Sequence, residues 1–127
     1  MNRIDTLDQL FSKYIRLRDS KRYGFKSFRC ISCGGLYPFD EGDCGHFIKR
    51  SNMATRFNED NCHFQCRYCN RFKSGNYESF RANLVKKIGE EKVDELVRLG
   101  HSTVKYSRYE IEDMIKYYRD KIKEIEI

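Results

Sequence analysis

The chain has 127 residues, of which 35% are charged and 39% hydrophobic, and its 25 lysines and arginines against 19 acids give a formal net charge of +6. This length suits one domain, and the mixture is that of a globular protein rather than a disordered or collagen-like one. The sequence has no apolar run of the roughly 18 residues that a membrane span needs, and no apolar signal-peptide core near its start. We therefore expect a cytoplasmic protein.

The first predicted element is a helix over about residues 6–20. Thr6 and Gln9 have the spacing of a capping box, and apolar side chains then recur at helical intervals. Basic residues interleaved with aromatic ones concentrate in this helix and after it, which favours contact with a polyanion such as DNA, although a solvated helix face gives the same pattern. The predicted DNA-contacting residues here are Lys13, Arg16, Arg18, Lys21, Arg22, Lys26 and Arg29.

Glycines, aromatics and short apolar runs predict hairpins and loops over residues 23–65. A short helix is expected from about Cys66 to Phe72. Asn76 is a plausible cap for the following helix, which Gly89 ends, and Gly100 ends another short helix.

The last predicted helix runs to the C-terminus behind a capping box formed by Ser107 and Glu110. Its apolar stripe extends from Ile111 to Ile125. Such a stripe ordinarily packs on its own domain, but it could also serve a homodimer, together with the Leu7–Ile15 face of the first helix. Both interpretations remain open.

Two C-x2-C pairs, Cys30/Cys33 and Cys66/Cys69, give the strongest chemical signal. In a cytoplasmic chain such cysteines more often bind metal than form disulfides. A gap of two residues lets both thiolates of a pair face one ion, and two pairs make the tetrahedral S4 site that structural zinc prefers. Cationic or N–H donors are expected around the sulfurs, and Arg29, Arg67 and Arg71, which lie beside the ligands in the sequence, could serve. Cys44 and Cys62 have no partner at ligand spacing and are predicted to be inert buried thiols.

Three further residues stand in a characteristic order around these pairs: His46 after Gly45, Asn61 before the second pair, and Asn70 directly after Cys69. This order resembles the HNH, or ββα-metal, nuclease motif, of the endonuclease VII-like kind. The match is closer still to the phage NinG/Rap recombination nuclease family. It covers about residues 7–99 and includes the runs Gly45-His46-Phe47-Ile48, Arg56-Phe57-Asn58, Asn61-x-His63-x-Gln65-Cys66 and Ser74-Gly75-Asn76.

The resemblance implies a metal-dependent endonuclease that acts on branched recombination intermediates of phage DNA. His46 would be the general base, and Asn70 would bind one Mg2+ or Mn2+ through its amide oxygen. Asn61 would hydrogen-bond His46 or its strand and so orient the ring.

Other residues near the motif have more than one interpretation. Asp43 could ligate the catalytic cation, orient its waters or cap a turn. His63 could belong to the site, contact phosphate or simply pack. Arg56 could clamp a phosphate or pair with Glu59 or Asp60.

The sequence thus predicts an α+β fold: a small zinc-stapled ββα-metal (HNH-like) core with flanking N- and C-terminal helices. We expect one domain over residues 1–127, with a basic helix and arm at 1–29, the zinc-bound core at 30–75 and a helical part at 76–127. The expected function is cleavage of branched DNA such as a Holliday junction or D-loop. The alternatives are a non-catalytic zinc-ribbon nucleic-acid-binding protein and a sequence-tolerant HNH nuclease without branch preference.

Overall fold

The computed structural model describes residues 2–126 as a mixture of helices and two small hairpins. Three 3-10 turns (Lys21–Tyr23, Phe39–Glu41, Glu59–Asn61) and a π-helical turn at Tyr68–Phe72 connect them. The regular elements are α1 (Arg3–Ser20), β1 (Ser27–Arg29), β2 (Leu36–Pro38), β3 (Gly42–His46), α2 (Met53–Arg56), β4 (Cys62–Cys66), α3 (Tyr77–Ile88), α4 (Glu90–Leu99) and α5 (Arg108–Glu126).

The helix boundaries partly correct the sequence prediction. α1 starts at Arg3, because the Asn2 side chain accepts a hydrogen bond from the Asp5 N–H, and Thr6 lies inside the helix rather than capping it. The second predicted capping box is confirmed: the Glu110 N–H donates to Ser107 Oγ at 3.1 Å, and the Ser107 N–H donates to the Glu110 carboxylate at 3.0 Å.

The hairpin of β3 and β4 is the centre of the fold. The strands are antiparallel, with Asp43 opposite Gln65 and His46 opposite Cys62. Side chains alternate along a strand, so Cys44 and His46 lie on one face and Asp43 lies on the other. Gly45 is also on the second face, where the side chain of Gln65 lies so close that a Cβ at Gly45 would collide with it.

Helices cover both faces of this hairpin. One apolar cluster joins α1 and α5 to the Cys62 face, through Phe11, Ile15, Ile115 and Tyr118. A second cluster joins α3 and α4 to Phe47, just beyond β3. The apolar stripe of α5 therefore packs against α1 within one chain, which is the intradomain alternative for this surface. None of the helices in residues 2–126 combines the length and apolarity needed to cross a membrane.

Candidate functional site: a four-cysteine centre beside a histidine-ended strand

The four cysteines of the two C-x2-C pairs come together. Cys30 and Cys33 lie just after β1, Cys66 ends β4, and Cys69 is in the π-helical turn. Their sulfurs all lie within 4.8 Å of one another, with Cys33 and Cys66 Sγ 4.0 Å apart. Four sulfurs so arranged can hold one metal ion, as the spacing predicted, and a thiolate set suits zinc. Phe28 and Phe64 stack beside them and shield the centre.

Neutral donors surround the sulfurs, which is the N–H alternative of the prediction rather than the cationic one. The N–H groups of Cys33 and Cys66 point at Cys30 Sγ, at 3.4 and 3.3 Å, and the Tyr37 hydroxyl lies 3.3 Å from Cys33 Sγ. Although burial raises it, the hydrogen bond from Tyr37 brings the pKa of Cys33 down to about 7.

The three arginines that the sequence offers for the cationic role bind elsewhere: Arg29 donates to the Gly34 carbonyl, Arg67 to the Asp40 carbonyl and Arg71 to the Asp43 carboxylate. Asn76 is the N-cap residue of α3, as predicted, but its side chain donates to Cys69 Sγ at 3.6 Å rather than capping the helix. Backbone and amide donors orient metal-bound sulfurs as well as cations do, and they add no charge.

His46 ends β3 with its ring held by the backbone. Its Nε2 lies 3.1 Å from the Arg56 carbonyl oxygen, and because a carbonyl only accepts, Nε2 carries the proton. Nδ1 therefore holds the lone pair; within residues 2–126 it makes no hydrogen bond and is not sealed from solvent. Burial lowers the pKa of His46, so the neutral ring persists below the usual range of histidine.

Asn61 fixes the chain that follows His46 rather than the ring itself. Its Oδ1 accepts from the Ile48 N–H at 2.7 Å, and its Nδ2 donates to the carbonyls of Ile48 and Thr55 at 3.0 and 3.2 Å. The side chain is fully buried, so these bonds have no competition from water. Asn61 is thus a positioning residue for Ile48, just after β3, and for α2, which ends at Arg56 and carries its carbonyl.

Asn70 and Asp43 are in direct contact. The Asn70 side-chain NH2 donates to Asp43 Oδ2 at 3.0 Å, and Arg71 binds both oxygens of the same carboxylate, at 2.9 and 3.0 Å. The two side chains suggested for the catalytic cation therefore lie side by side, but the NH2 of Asn70 rather than its amide oxygen faces the carboxylate, and an arginine also binds that carboxylate. They lie on the other face of the hairpin from the His46 ring, and three residues of strand, about 10 Å, separate Asp43 from His46.

A cleft of about 340 Å³ opens beside His46. Ser74, Gly75 and Tyr77, which lead into α3, form its other side, and Lys49 borders it. The turn has an unusual backbone, with positive φ at Ser74 (50°), Gly75 (84°) and Asn76 (47°) in succession. A left-handed conformation at two non-glycine residues costs free energy, and such turns concentrate at functional sites. Ser74 and Gly75, from the run identified by the resemblance, thus line the same cleft as the predicted base.

Two of the predicted DNA contacts are engaged inside the protein. Arg18 is largely buried, with bonds to Asp19, to the Glu59 carbonyl at 2.9 Å and to the Cys62 carbonyl at 2.7 Å. Arg56 pairs with Asp8, which sequence analysis had not singled out, rather than with Glu59 or Asp60. Each guanidinium therefore already has a buried or half-buried partner within the protein, and DNA contact by Arg18 or Arg56 stays a prediction.

The other predicted cations keep access to solvent. Lys21, Arg22, Lys26 and Arg29 are exposed, whereas Lys13 pairs with Glu126 at 2.9 Å and Arg16 is partly buried.

His63 has a packing role. It is buried against Phe80, its Nε2 donates to the Asp60 carbonyl, and its Nδ1 accepts from Lys87 at 2.9 Å. Burial, together with the nearby Lys87 charge, lowers the pKa of His63 to about 3, so the ring is neutral.

Sequence reasoning missed a second group of metal-binding side chains. Cys44, His46 and Cys62 bring two sulfurs and a ring nitrogen within 4.8 Å of one another. No C-x2-C spacing marks this group, because strand pairing assembles it. The signal that could have found it is the i, i+2 spacing of Cys44 and His46 on a predicted strand.

Comparison with known proteins gives a consistent result. The family model described as "Bacteriophage Lambda NinG protein" matches residues 2–127. The chain is 35% identical over 125 residues to "Protein ninG" of Escherichia phage lambda and 34% identical to those of Escherichia phage 933W and Salmonella phage P22. Each alignment covers 96% of this chain, which spans 56–57% of the length of these relatives. No solved structure matches it significantly. On this evidence the chain belongs to the NinG family of bacteriophage lambda.

Proposed function

We propose that this chain is a metal-dependent DNA endonuclease of the HNH type that hydrolyses phosphodiester bonds, with branched DNA as its preferred substrate. The observation that carries the proposal is the state of His46, a residue that lines a cleft: its ring is neutral and oriented by the Arg56 carbonyl, and its Nδ1 makes no hydrogen bond within residues 2–126. Phosphodiester hydrolysis needs a base that removes a proton from water, and this arrangement provides one.

The surroundings of His46 suit a phosphate. Lys49 adds a positive charge to the cleft, and the N-terminus of α3, a helix of 12 residues, starts at Tyr77 on the cleft wall. Helix N-termini favour anions because their N–H groups and their dipole point outward. His46 is among the residues that line this cleft, so a phosphate bound there would lie near His46.

The catalytic cation is the second requirement. Asn70 and Asp43 lie side by side, with the Asn70 NH2 on the carboxylate; if the amide turns so that its oxygen faces the cation, the pair becomes the kind of oxygen set that Mg2+ or Mn2+ accepts while keeping several waters. When bound, such a cation would stabilise negative charge on the phosphate and on the leaving oxygen. Asp43 and His46 both belong to β3, which pairs with β4 alone within residues 2–126 and so leaves its other edge unpaired there. A DNA strand along that edge could contact both.

A larger cavity supports binding of a polyanion. About 840 Å³ in volume, it lies between the end of α1, β1 and α3. Its lining carries one carboxylate and five cationic side chains: Arg18, Lys21, Arg22, Arg29 and Lys87. Excess positive charge in a concave site attracts phosphate backbones and makes binding weaken with salt.

The separation of His46 from Asn70 favours one alternative, a zinc-stapled nucleic-acid-binding protein without catalysis. A sequence-tolerant HNH nuclease would share the site but cut linear duplex as readily as a junction. A homodimer, which would present two sites to a four-way junction, stays a prediction; the α1–α5 contact first considered for it is made within one chain.

A cleavage assay separates these functions. The chain is incubated with supercoiled plasmid, a synthetic four-way junction and the matching linear duplex, with Mg2+ or with a chelator. The proposal predicts Mg2+-dependent cutting, faster on the junction. Binding without cutting, in Mg2+ and in Mn2+, would establish the non-catalytic alternative, and equal rates on junction and duplex would establish the sequence-tolerant nuclease.

A further inference from the structure

A second set of soft metal ligands lies on the α1-facing side of the β3–β4 hairpin. Cys44 and His46 project from β3, and Cys62 projects from the paired position on β4. Their two sulfurs and one ring nitrogen lie within 4.8 Å of one another, the same separation that relates the four sulfurs of the first centre. Tetrahedral zinc with Zn–S bonds of about 2.3 Å separates its ligands by about 3.8 Å, so small side-chain movements suffice.

The ring of His46 is already oriented as in a metal ligand. Histidines that bind metals donate the second ring N–H to a carboxylate or a backbone carbonyl, which fixes the tautomer. Here Nε2–H donates to the Arg56 carbonyl at 3.1 Å, and Nδ1 is left as the ligand atom. Cys62 Sγ lies 3.7 Å from the same carbonyl oxygen, so this sulfur and the His46 ring are neighbours.

Charge and surroundings favour a thiolate-binding dication. Cys62 is fully buried in the cluster that contains Leu7 and Phe11, and Cys44 packs against that cluster. Two thiolates, one neutral imidazole and one dication have no net charge, which suits an apolar environment. Two sulfurs and a nitrogen select Zn2+ and similar metals over Mg2+, which prefers oxygen.

We propose that Cys44, His46 and Cys62 form a second metal site that takes Zn2+ or a similar thiolate-preferring dication, with the fourth position open to water. The ion occupies Nδ1 of His46, the lone pair that removes a proton from water. Its consequence for hydrolysis therefore rests on the proposed function: zinc at this site switches off the base. The metal site itself does not depend on that function.

Cobalt spectroscopy tests the site directly. The zinc-replete, reduced chain is cleared of loosely bound metal with a mild chelator and titrated with Co2+, and thiolate-to-cobalt absorption is recorded. We expect one additional equivalent in the parent protein and its loss in Cys44→Ala, whose folding is checked by circular dichroism. His101→Ala, at an exposed histidine outside the site, is the matched control and should bind like the parent.

Any of three results would overturn the proposal. The first is that the parent binds no additional equivalent of Co2+, and the second is that Cys44→Ala shows the same charge-transfer absorption. The third is a Cys44–Cys62 disulfide, detected by mass spectrometry, that persists under the reducing conditions of the titration. The second readout is the factor by which micromolar Zn2+ slows Mg2+-dependent cutting. That factor should be at least ten times smaller in Cys44→Ala, and an equal factor would overturn the coupling to His46. A chain that binds cobalt as expected but cuts no DNA would contradict the proposed function alone.

Discussion

His46 combines a half-buried ring with a ring nitrogen, Nδ1, that makes no hydrogen bond within residues 2–126. The Arg56 carbonyl fixes the tautomer, and Asn61 fixes the segment that carries this carbonyl. Both hydrogen bonds form within the fold, so the ring of His46, the proposed base, is oriented before any substrate binds. A preorganised base avoids an ordering cost during the reaction.

The first prediction concerns the acid side of the pH–rate profile. Burial lowers the pKa of His46 from the ordinary 6.5, so the ring stays neutral and competent to somewhat more acidic pH. The rate of cutting, measured from pH 5 to 8 at saturating Mg2+, should begin to fall only below pH 6.5. A fall centred above pH 6.5 would assign the titration to another group.

His63 supplies a second prediction at the same scale, on stability. The unfolded chain takes up a proton near pH 6.5, whereas the folded ring, with a pKa of about 3, does not. The free energy of unfolding should therefore fall as the pH drops below 6.5, by up to about 1.4 kcal/mol per pH unit from this residue. Urea unfolding at several pH values gives the slope. His63→Gln should flatten it, and an unchanged slope in that variant would contradict the assignment.

At the scale of elements, the four-cysteine centre joins the loop after β1 to the end of β4 and to the π-helical turn. These segments have little other regular structure between them, since β1 and β2 contain three residues each. One ion would thus fix the strand that ends at Cys66 and the turn that holds Asn70. The position of the oxygen donors depends on the centre through this connection.

The third prediction follows from this connection. The chain purified in the presence of a mild chelator should retain one zinc, and a stronger chelator that removes it should unfold the core. A structural zinc contributes roughly 10 kcal/mol or more of apparent free energy, comparable to the stability of a whole domain. Elemental analysis and circular dichroism measure both quantities. A folded, active chain without metal would contradict the zinc assignment.

The contact between Asp43 and Arg71 gives the fourth prediction. Arg71 occupies both carboxylate oxygens of Asp43, so a cation must compete with it. Arg71→Ala should lower the Mg2+ concentration needed for half-maximal cutting. Arg67→Ala is the matched control, because Arg67 is also exposed but binds the Asp40 carbonyl. A higher Mg2+ requirement in Arg71→Ala than in the control would exclude Asp43 as a direct ligand.

Over the whole molecule, local sequence patterns predicted the features that neighbouring residues determine, but not the contacts between residues far apart in the sequence. The C-x2-C pairs, the α5 capping box and the ends of α3 and α4 at glycines depend on neighbouring residues, and sequence spacing predicted them. The Arg56–Asp8 pair and the burial of Arg18 depend on how α1 packs on the hairpin, which composition does not encode. The Cys44–His46–Cys62 group likewise depends on the register of β3 against β4.

Helices α1 and α5 pack against each other and against the Cys62 face of the β3–β4 hairpin. The predicted α5 stripe is used there: Ile115, Tyr118 and Ile122 are buried, and Ile111 and Met114 pack at the margin. The Tyr118 hydroxyl also donates to the Glu59 carboxylate at 3.0 Å, next to the turn that carries Asn61. The C-terminal helix α5 therefore supports the turn whose Asn61 positions the surroundings of His46, the proposed base.

The central claim, that His46 is the base of a DNA endonuclease, has one most direct test. Single-turnover cutting of a four-way junction is compared between the parent chain and His46→Ala, both zinc-replete and with DNA binding measured in parallel. If His46 is the general base, His46→Ala should lose about 10²–10⁴-fold in cutting rate while its DNA affinity stays close to that of the parent. If a folded, zinc-replete His46→Ala chain cuts at the parent rate, His46 is not the base.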